Sequence, residues 1–119
     1  MAGFSTLKIL HNRSAPAKTI TFKTNVTIPL IVNSKSSISL QKHHHRSEHW
    51  MITDGKPLIT INKAKFEKKP NESVFIPRGA IHRIENKYKK PVKIIEVQTG
   101  PILKETDIVR YQDVYGRVN

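Results

Sequence analysis

From about residue 26 onward the chain alternates apolar and polar residues with a period of two, and short turn sequences cut the alternation into pieces. A period of two puts successive side chains on opposite faces of an extended backbone, so the pattern demands sheets with one buried face rather than a helical bundle. The pieces read as strands over residues 18–23, 26–31, 37–44, 48–53, 57–61, 73–76, 82–86 and 92–97. Between them stand Asp54-Gly55, Lys69-Pro70-Asn71-Glu72, Pro77-Arg78-Gly79 and Asn86-Lys87, residues that supply left-handed or pre-bent backbone. Eight short strands so joined make an all-β barrel or sandwich, and 119 residues suffice for one such domain. Residues 18–100 form this barrel. Residues 1–17 lack a period and read as an irregular arm lying on the barrel or on a neighbouring subunit. Residues 101–119 form an extension in which 105–111, acidic at its start and basic at Arg110, suits a short helix.

Composition narrows the chemistry. There is no cysteine, so disulfides and thiolate metal sites are excluded and any metal must be held by nitrogen and oxygen. No apolar run approaches the roughly 20 residues of a membrane helix, and the first residues lack a charged-then-apolar leader, so a membrane partner is not expected and the expected compartment is the cytoplasm. The net charge of +12 comes from 15 Lys and 6 Arg. The lysines gather at 63–69 and 87–93, where hairpin loops fall; this reads as solvated surface rather than a nucleic-acid track, though a basic field still attracts a phosphorylated small molecule.

Two spaced motifs lie within the strands, Gln41-x-His43-x4-Glu48-x6-Gly55 and Pro77-x-Gly79-x2-His82-x3-Asn86. Strand parity puts Gln41, His43 and His45 on one face and Glu48, Trp50 and Ile52 on one face of the next strand. Two imidazoles (His43, His82), a carboxylate (Glu48) and an amide carbonyl (Gln41) suit a divalent ion of the Zn²⁺, Fe²⁺, Mn²⁺, Co²⁺ or Ni²⁺ class. His44 and His49 read as surface residues. Trp50 reads as core packing, with a sugar-stacking platform as the alternative.

The motif pair resembles that of the cupin superfamily, whose fold is a jelly-roll β-barrel. In the family pattern a glycine stands where this chain has Lys35 and another where it has Asn71, and a histidine stands at Gln41. A closer resemblance covers roughly 26–117. Ser39 to Trp50, Ile76 to Asn86, Ile94 to Gly100 and Asp107 to Arg117 are similar to the C-terminal isomerase domain of type II phosphomannose isomerases, bifunctional enzymes that also carry a guanylyltransferase domain. No sequence of that second domain is expected here, and with it no sugar-nucleotide synthesis.

The resemblance implies a metal-dependent interconversion of mannose 6-phosphate and fructose 6-phosphate, with zinc the first choice of metal at Gln41, His43, Glu48 and His82. Moving a proton between C1 and C2 needs a base, for which His45 and Glu96 both stand open. Arg83, Arg110 and Arg117 are candidates for the substrate phosphate, with surface ion pairs or a dimer contact as the alternative for the last two. A non-catalytic metal- or sugar-binding cupin is the second reading, and a homodimer paired through edge strands is the expected assembly.

Overall fold

The computed structural model describes residues 2–11 and 18–112, with side chains from Lys23 to Tyr111. Ten strands and no helix occur among the described residues, so none of these segments is a membrane-spanning helix. In chain order they are β1 (Ala2–His11), β2 (Lys18–Val32), β3 (Leu40–Lys42), β4 (Ser47–Asp54), β5 (Leu58–Ile61), β6 (Ala64–Glu67), β7 (Ser73–Ile76), β8 (His82–Glu85), β9 (Val92–Gly100) and β10 (Val109–Gln112). They form two five-stranded antiparallel sheets, ordered β1-β2-β9-β4-β7 and β10-β3-β8-β5-β6.

Alternation decides what faces inward. In β4, Glu48, Trp50 and Ile52 are buried while His49, Met51 and Thr53 are exposed; in β9, Val92, Ile94 and Glu96 are buried. The first sheet thereby sends Val32, Trp50, Ile52, Ile76, Val92 and Ile94 into a core completed from the second sheet by Ile59 and Ile84. The same parity carries Glu48 and Glu96 inward, at one end of that apolar layer.

Several expectations are corrected at the edges of the sheets. The arm is not irregular throughout, because Ala2–His11 pairs with β2 in unbroken register from Ala2↔Thr27 to His11↔Lys18. The two expected strands over 18–23 and 26–31 are one long strand, whose register against β9 shifts between Thr27 and Leu30, around Pro29, which has no N–H to give a ladder. The expected helix over 105–111 is a turn followed by β10, which pairs with β3. β6 extends a sheet where only a loop was expected.

The two positions where the motif pattern has glycine explain themselves. Lys35 and Asn71 both adopt positive φ, 57° and 71°. Asn does so at small cost, whereas a lysine there carries the left-handed penalty of roughly 1–2 kcal/mol. Gly55, at φ 83°, has a second constraint: a Cβ would lie 2.9 Å from the Pro91 carbonyl oxygen and 3.0 Å from Val92 Cα. Opposite outcomes are therefore expected in denaturant unfolding. Gly55→Ala should lose about 2 kcal/mol or more of stability, whereas Lys35→Gly should gain about 0.5–1 kcal/mol, the relieved strain less the entropy of a new glycine.

Candidate metal centre

Glu48 reaches the interior from near the start of β4. Two histidines meet it from the other sheet, His82 as the first residue of β8 and His43 just past the end of β3, where Gln41 pairs directly with His82. Glu48 Oε2 lies 3.3 Å from His43 Nε2 and 3.1 Å from His82 Nε2, and the imidazole centroids are 5.1 Å apart. All three side chains are 2 % exposed or less.

The far side of each ring settles its proton. His43 Nδ1 donates to the Asp107 carbonyl at 2.6 Å and His82 Nδ1 to the Ala80 carbonyl at 2.9 Å, since a carbonyl oxygen can only accept. Arg46 Nη2, which can only donate, sits 3.2 Å from His43 Nε2, so that nitrogen presents its lone pair. Glu48 Oε2 and His82 Nε2 are buried without a hydrogen-bond partner despite their proximity. Two imidazole nitrogens and a carboxylate oxygen lie within 4.8 Å of one another, each buried. Buried polar atoms are rarely left unpartnered, and a divalent cation fits this donor set; backbone carbonyls behind the ligating histidines are the usual support of such a site.

Electrostatics agree. Burial pushes the Glu48 carboxyl up, but the neighbouring His43, His82 and Glu96 side chains outweigh burial and hold it well below the ordinary carboxylate range. Its neighbour goes the other way: burial, then the adjacent Glu48 carboxylate, push Glu96 up to about 9. Because part of that shift is owed to the charge of Glu48, any cation on Glu48 draws Glu96 back down. Glu96 is oriented by Trp50 Nε1, which donates to its Oε2 at 3.2 Å, and by Gln98 Nε2, which donates to its Oε1 at 3.1 Å.

The centre opens into a cavity of about 310 Å³ whose wall includes Ser39, Gln41, Arg46, Glu48, Glu96, Gln98 and Arg110. Gln41 Oε1 accepts from Ser39 Oγ at 2.8 Å, which fixes the amide on that wall. Arg110 arrives because β10 pairs Arg110 with Gln41. Arg46 is tied by Nη1 to the Lys104 carbonyl at 3.2 Å. In both arginines Nε is buried with no hydrogen-bond partner.

Gln41, Glu48, Glu96 and Arg110 thus line one cavity, with His43 and His82 meeting Glu48 at its wall. His45 is not: β3 ends at Lys42, the chain bends at His44 and His45, and His45 becomes an exposed residue in a shallow groove beside Lys104 and Thr106. The parity that placed it with the ligands holds only while the strand continues. Arg83 is also elsewhere, since it lies between inward-facing His82 and Ile84 and so points out of the barrel, 3.9 Å from Glu85. Arg117 lies outside the described residues. Trp50 is 1 % exposed, edge-on to His82 at 5.6 Å, so it supports the centre and offers no open sugar platform. His44 and His49 are exposed. Sequence reasoning missed Arg46, Gln98 and Asp107. Arg46 had a legible signal, a guanidinium confined between two ligand positions; Asp107 was obscured by the helical reading of its segment.

Comparison with known proteins gives the same assignment from a different direction. Residues 17–113 match the family described as mannose-6-phosphate isomerase C-terminal. The chain is 44% identical over 90 residues to the alginate biosynthesis protein AlgA of Pseudomonas putida, covering 76% of this chain and 19% of that protein. It is 45% identical over 89 residues to the mannose-1-phosphate guanylyltransferase ManC of Salmonella typhimurium, covering 75% and 18%. The chain therefore spans about a fifth of the length of these relatives. Among solved structures, the cupin domain of Schizosaccharomyces pombe Cnp3 shares the fold, with a TM-score of 0.59 at 18% identity over 82% of this chain and 64% of that one. A jelly-roll of two facing sheets, a buried His-Glu-His centre between them and a family match over most of its length place this chain in the mannose-6-phosphate isomerase C-terminal family of cupins.

Proposed function

We propose that this domain interconverts mannose 6-phosphate and fructose 6-phosphate at a divalent metal centre. The observation that carries the reading is the convergence of His43 and His82 on Glu48, two of the donor atoms buried without a partner, at the wall of a cavity that also holds one further carboxyl and two guanidinium groups. Names of relatives support the substrate class: the family is described by mannose-6-phosphate isomerase and one relative by mannose 1-phosphate. Only about a fifth of those relatives is matched, so guanylyl transfer forms no part of the reading.

His43, Glu48 and His82, with Gln41 beside them, would hold the ion, zinc first and iron, manganese, cobalt or nickel as alternatives. Bound there, it would act as a Lewis acid on the oxygens at C1 and C2 of the sugar. Glu96 is the cavity carboxyl left free of the His-Glu-His cluster, and it carries the proton, taking it from one carbon and returning it to the other. Trp50 and Gln98 keep its two oxygens pointed. Arg46 and Arg110 take the phosphate, for which a planar guanidinium has the matching fork of donors.

Four measurements test this. The purified chain should convert mannose 6-phosphate to fructose 6-phosphate, lose that activity with a chelator and recover it with one divalent metal; metal and sugar binding without turnover would make it a binding module instead. Glu96→Gln should lower kcat by about 10²- to 10⁴-fold. Arg46→Ala and Arg110→Ala should raise KM by about 10- to 100-fold, the size of a lost charge-assisted contact, while Arg83→Ala and His45→Ala leave both constants unchanged. In calorimetry, metal at about 100 times its Kd should stabilise the wild type by about 2.7 kcal/mol, a gain that His82→Ala abolishes.

A further inference from the structure

The bend that presents His43 has no strand ladder to hold it. β3 ends at Lys42 and β4 begins at Ser47, so residues 43–46 must be fixed from outside. Three tethers do this. The Gly79 amide donates to the His43 carbonyl at 2.9 Å, which joins the two motifs. Gly100 lets the bend rest on the end of β9, since a Cβ there would collide with the His45 carbonyl oxygen and meet Arg46 Cα at 3.0 Å. The third comes from the turn before β10. Asp107 takes the amide of His44 on Oδ1 at 2.8 Å and that of His45 on Oδ2 at 2.9 Å, both carboxylate oxygens used on consecutive backbone N–H groups.

Asp107 thereby does two things at one place. Its side chain grips the bend and its own carbonyl receives His43 Nδ1 at 2.6 Å, so the gripped backbone and the imidazole it carries are referred to the same residue. The turn is itself closed by the Asp107 amide on the Lys104 carbonyl at 3.0 Å, and that carbonyl also receives Arg46. Asp107 is only 8 % exposed, so its two hydrogen bonds are shielded from competing water.

We infer that Asp107 is a positioning residue for the metal centre: it fixes His43 in the Nδ1-protonated tautomer, Nε2 turned to Glu48, by clamping the 43–46 bend onto the carbonyl that accepts the Nδ1 proton. The inference rests on the metal reading above for its consequence, but not for its first observable. It makes the C-terminal segment part of the site: the turn holds His43 and Arg46, and β10 then delivers Arg110.

The experiment uses the full chain with Asp107→Ala, Asp107→Asn and, as a control for stability alone, Asn86→Ala. Asn86 is buried and donates to the Val32, Asn33 and Lys90 carbonyls, none of which belongs to a proposed metal ligand. Long-range ¹H–¹⁵N NMR of the metal-free protein at about pH 8, above the usual imidazole range, reads the His43 tautomer. Competition with a chromophoric chelator reads Zn²⁺ affinity. Wild type should show His43 protonated at Nδ1; Asp107→Ala should show a mixture of tautomers and bind Zn²⁺ about 10- to 100-fold more weakly. Asn86→Ala should be destabilised with its affinity unchanged. Should Asp107→Ala not fold, Asp107→Asn decides: it keeps one acceptor but sets an NH₂ against the other amide, so its loss should be smaller and of the same kind. Wild-type tautomer and affinity in a folded Asp107 variant overturn the inference. No Zn²⁺ binding by the wild type overturns the metal reading, and the tautomer measurement still decides the role of Asp107.

Discussion

A carboxylate buried in the interior is the constraint around which the rest is arranged. Glu48 faces inward between the sheets at 2 % exposure, where an unpartnered charge costs several kcal/mol, so the fold must bring it compensation. The compensation comes from the opposite sheet. Glu48, Trp50 and Glu96 hang from β4 and β9, whereas Gln41, His82 and Arg110 belong to β3, β8 and β10. The centre is therefore also a cross-link between the two layers. The apolar core alone would leave that end of the barrel with acids on one side and imidazoles on the other, and nothing positive between them.

The two sequence motifs divide this work. Their polar members supply donors, while their other members hold the backbone that aims those donors. Gly55 permits close passage of the Pro91-Val92 backbone and Gly79 anchors the His43 carbonyl, whereas Asn86 ties three carbonyls of loops that carry no proposed ligand. Imidazoles fixed at Nδ1 by main-chain carbonyls lose little entropy on meeting a cation, because their rings are already oriented. Both rings are oriented at Nδ1 by main-chain carbonyls, which leaves the cavity wall free for Glu96 and the arginines.

What was legible in the sequence follows from burial. β4, β8 and β9 lie inside their sheets with one face in the core, and their alternation is plain; Glu48, His82 and Glu96 are buried because they ride on it. β1, β6 and β10 are edge strands, where one side of the ladder is open and the selection for a strict two-residue period is weak. Those three went unread. His45 shows how a rule fails past its domain, since parity was carried across a bend that ends the strand. Arg83 is the reverse case. Parity from inward-facing His82 already sends it outward, and its charge alone made it a candidate. Asp107 and Arg46 act through contacts 58 to 64 residues apart in sequence, Arg46 on Lys104 and Asp107 on His43, and no local pattern encodes such a meeting.

Gln41 does not alter the charge of the centre. An amide contributes an oxygen donor with no charge, as an imidazole contributes a neutral nitrogen, so the exchange leaves the electrostatic sum of the centre untouched. With a divalent ion on Glu48, the ion and ligand carboxylate together carry about one positive charge. Arg46 and Arg110 add two more on the same cavity wall, and Glu96 subtracts one when ionised. A concave site of about 310 Å³ with that positive balance, in a chain of net charge +12, favours a small dianion over a neutral sugar. The donor set thus suits a divalent metal, and the arginines beside it suit an anionic ligand; neither depends on which of imidazole or amide stands at position 41.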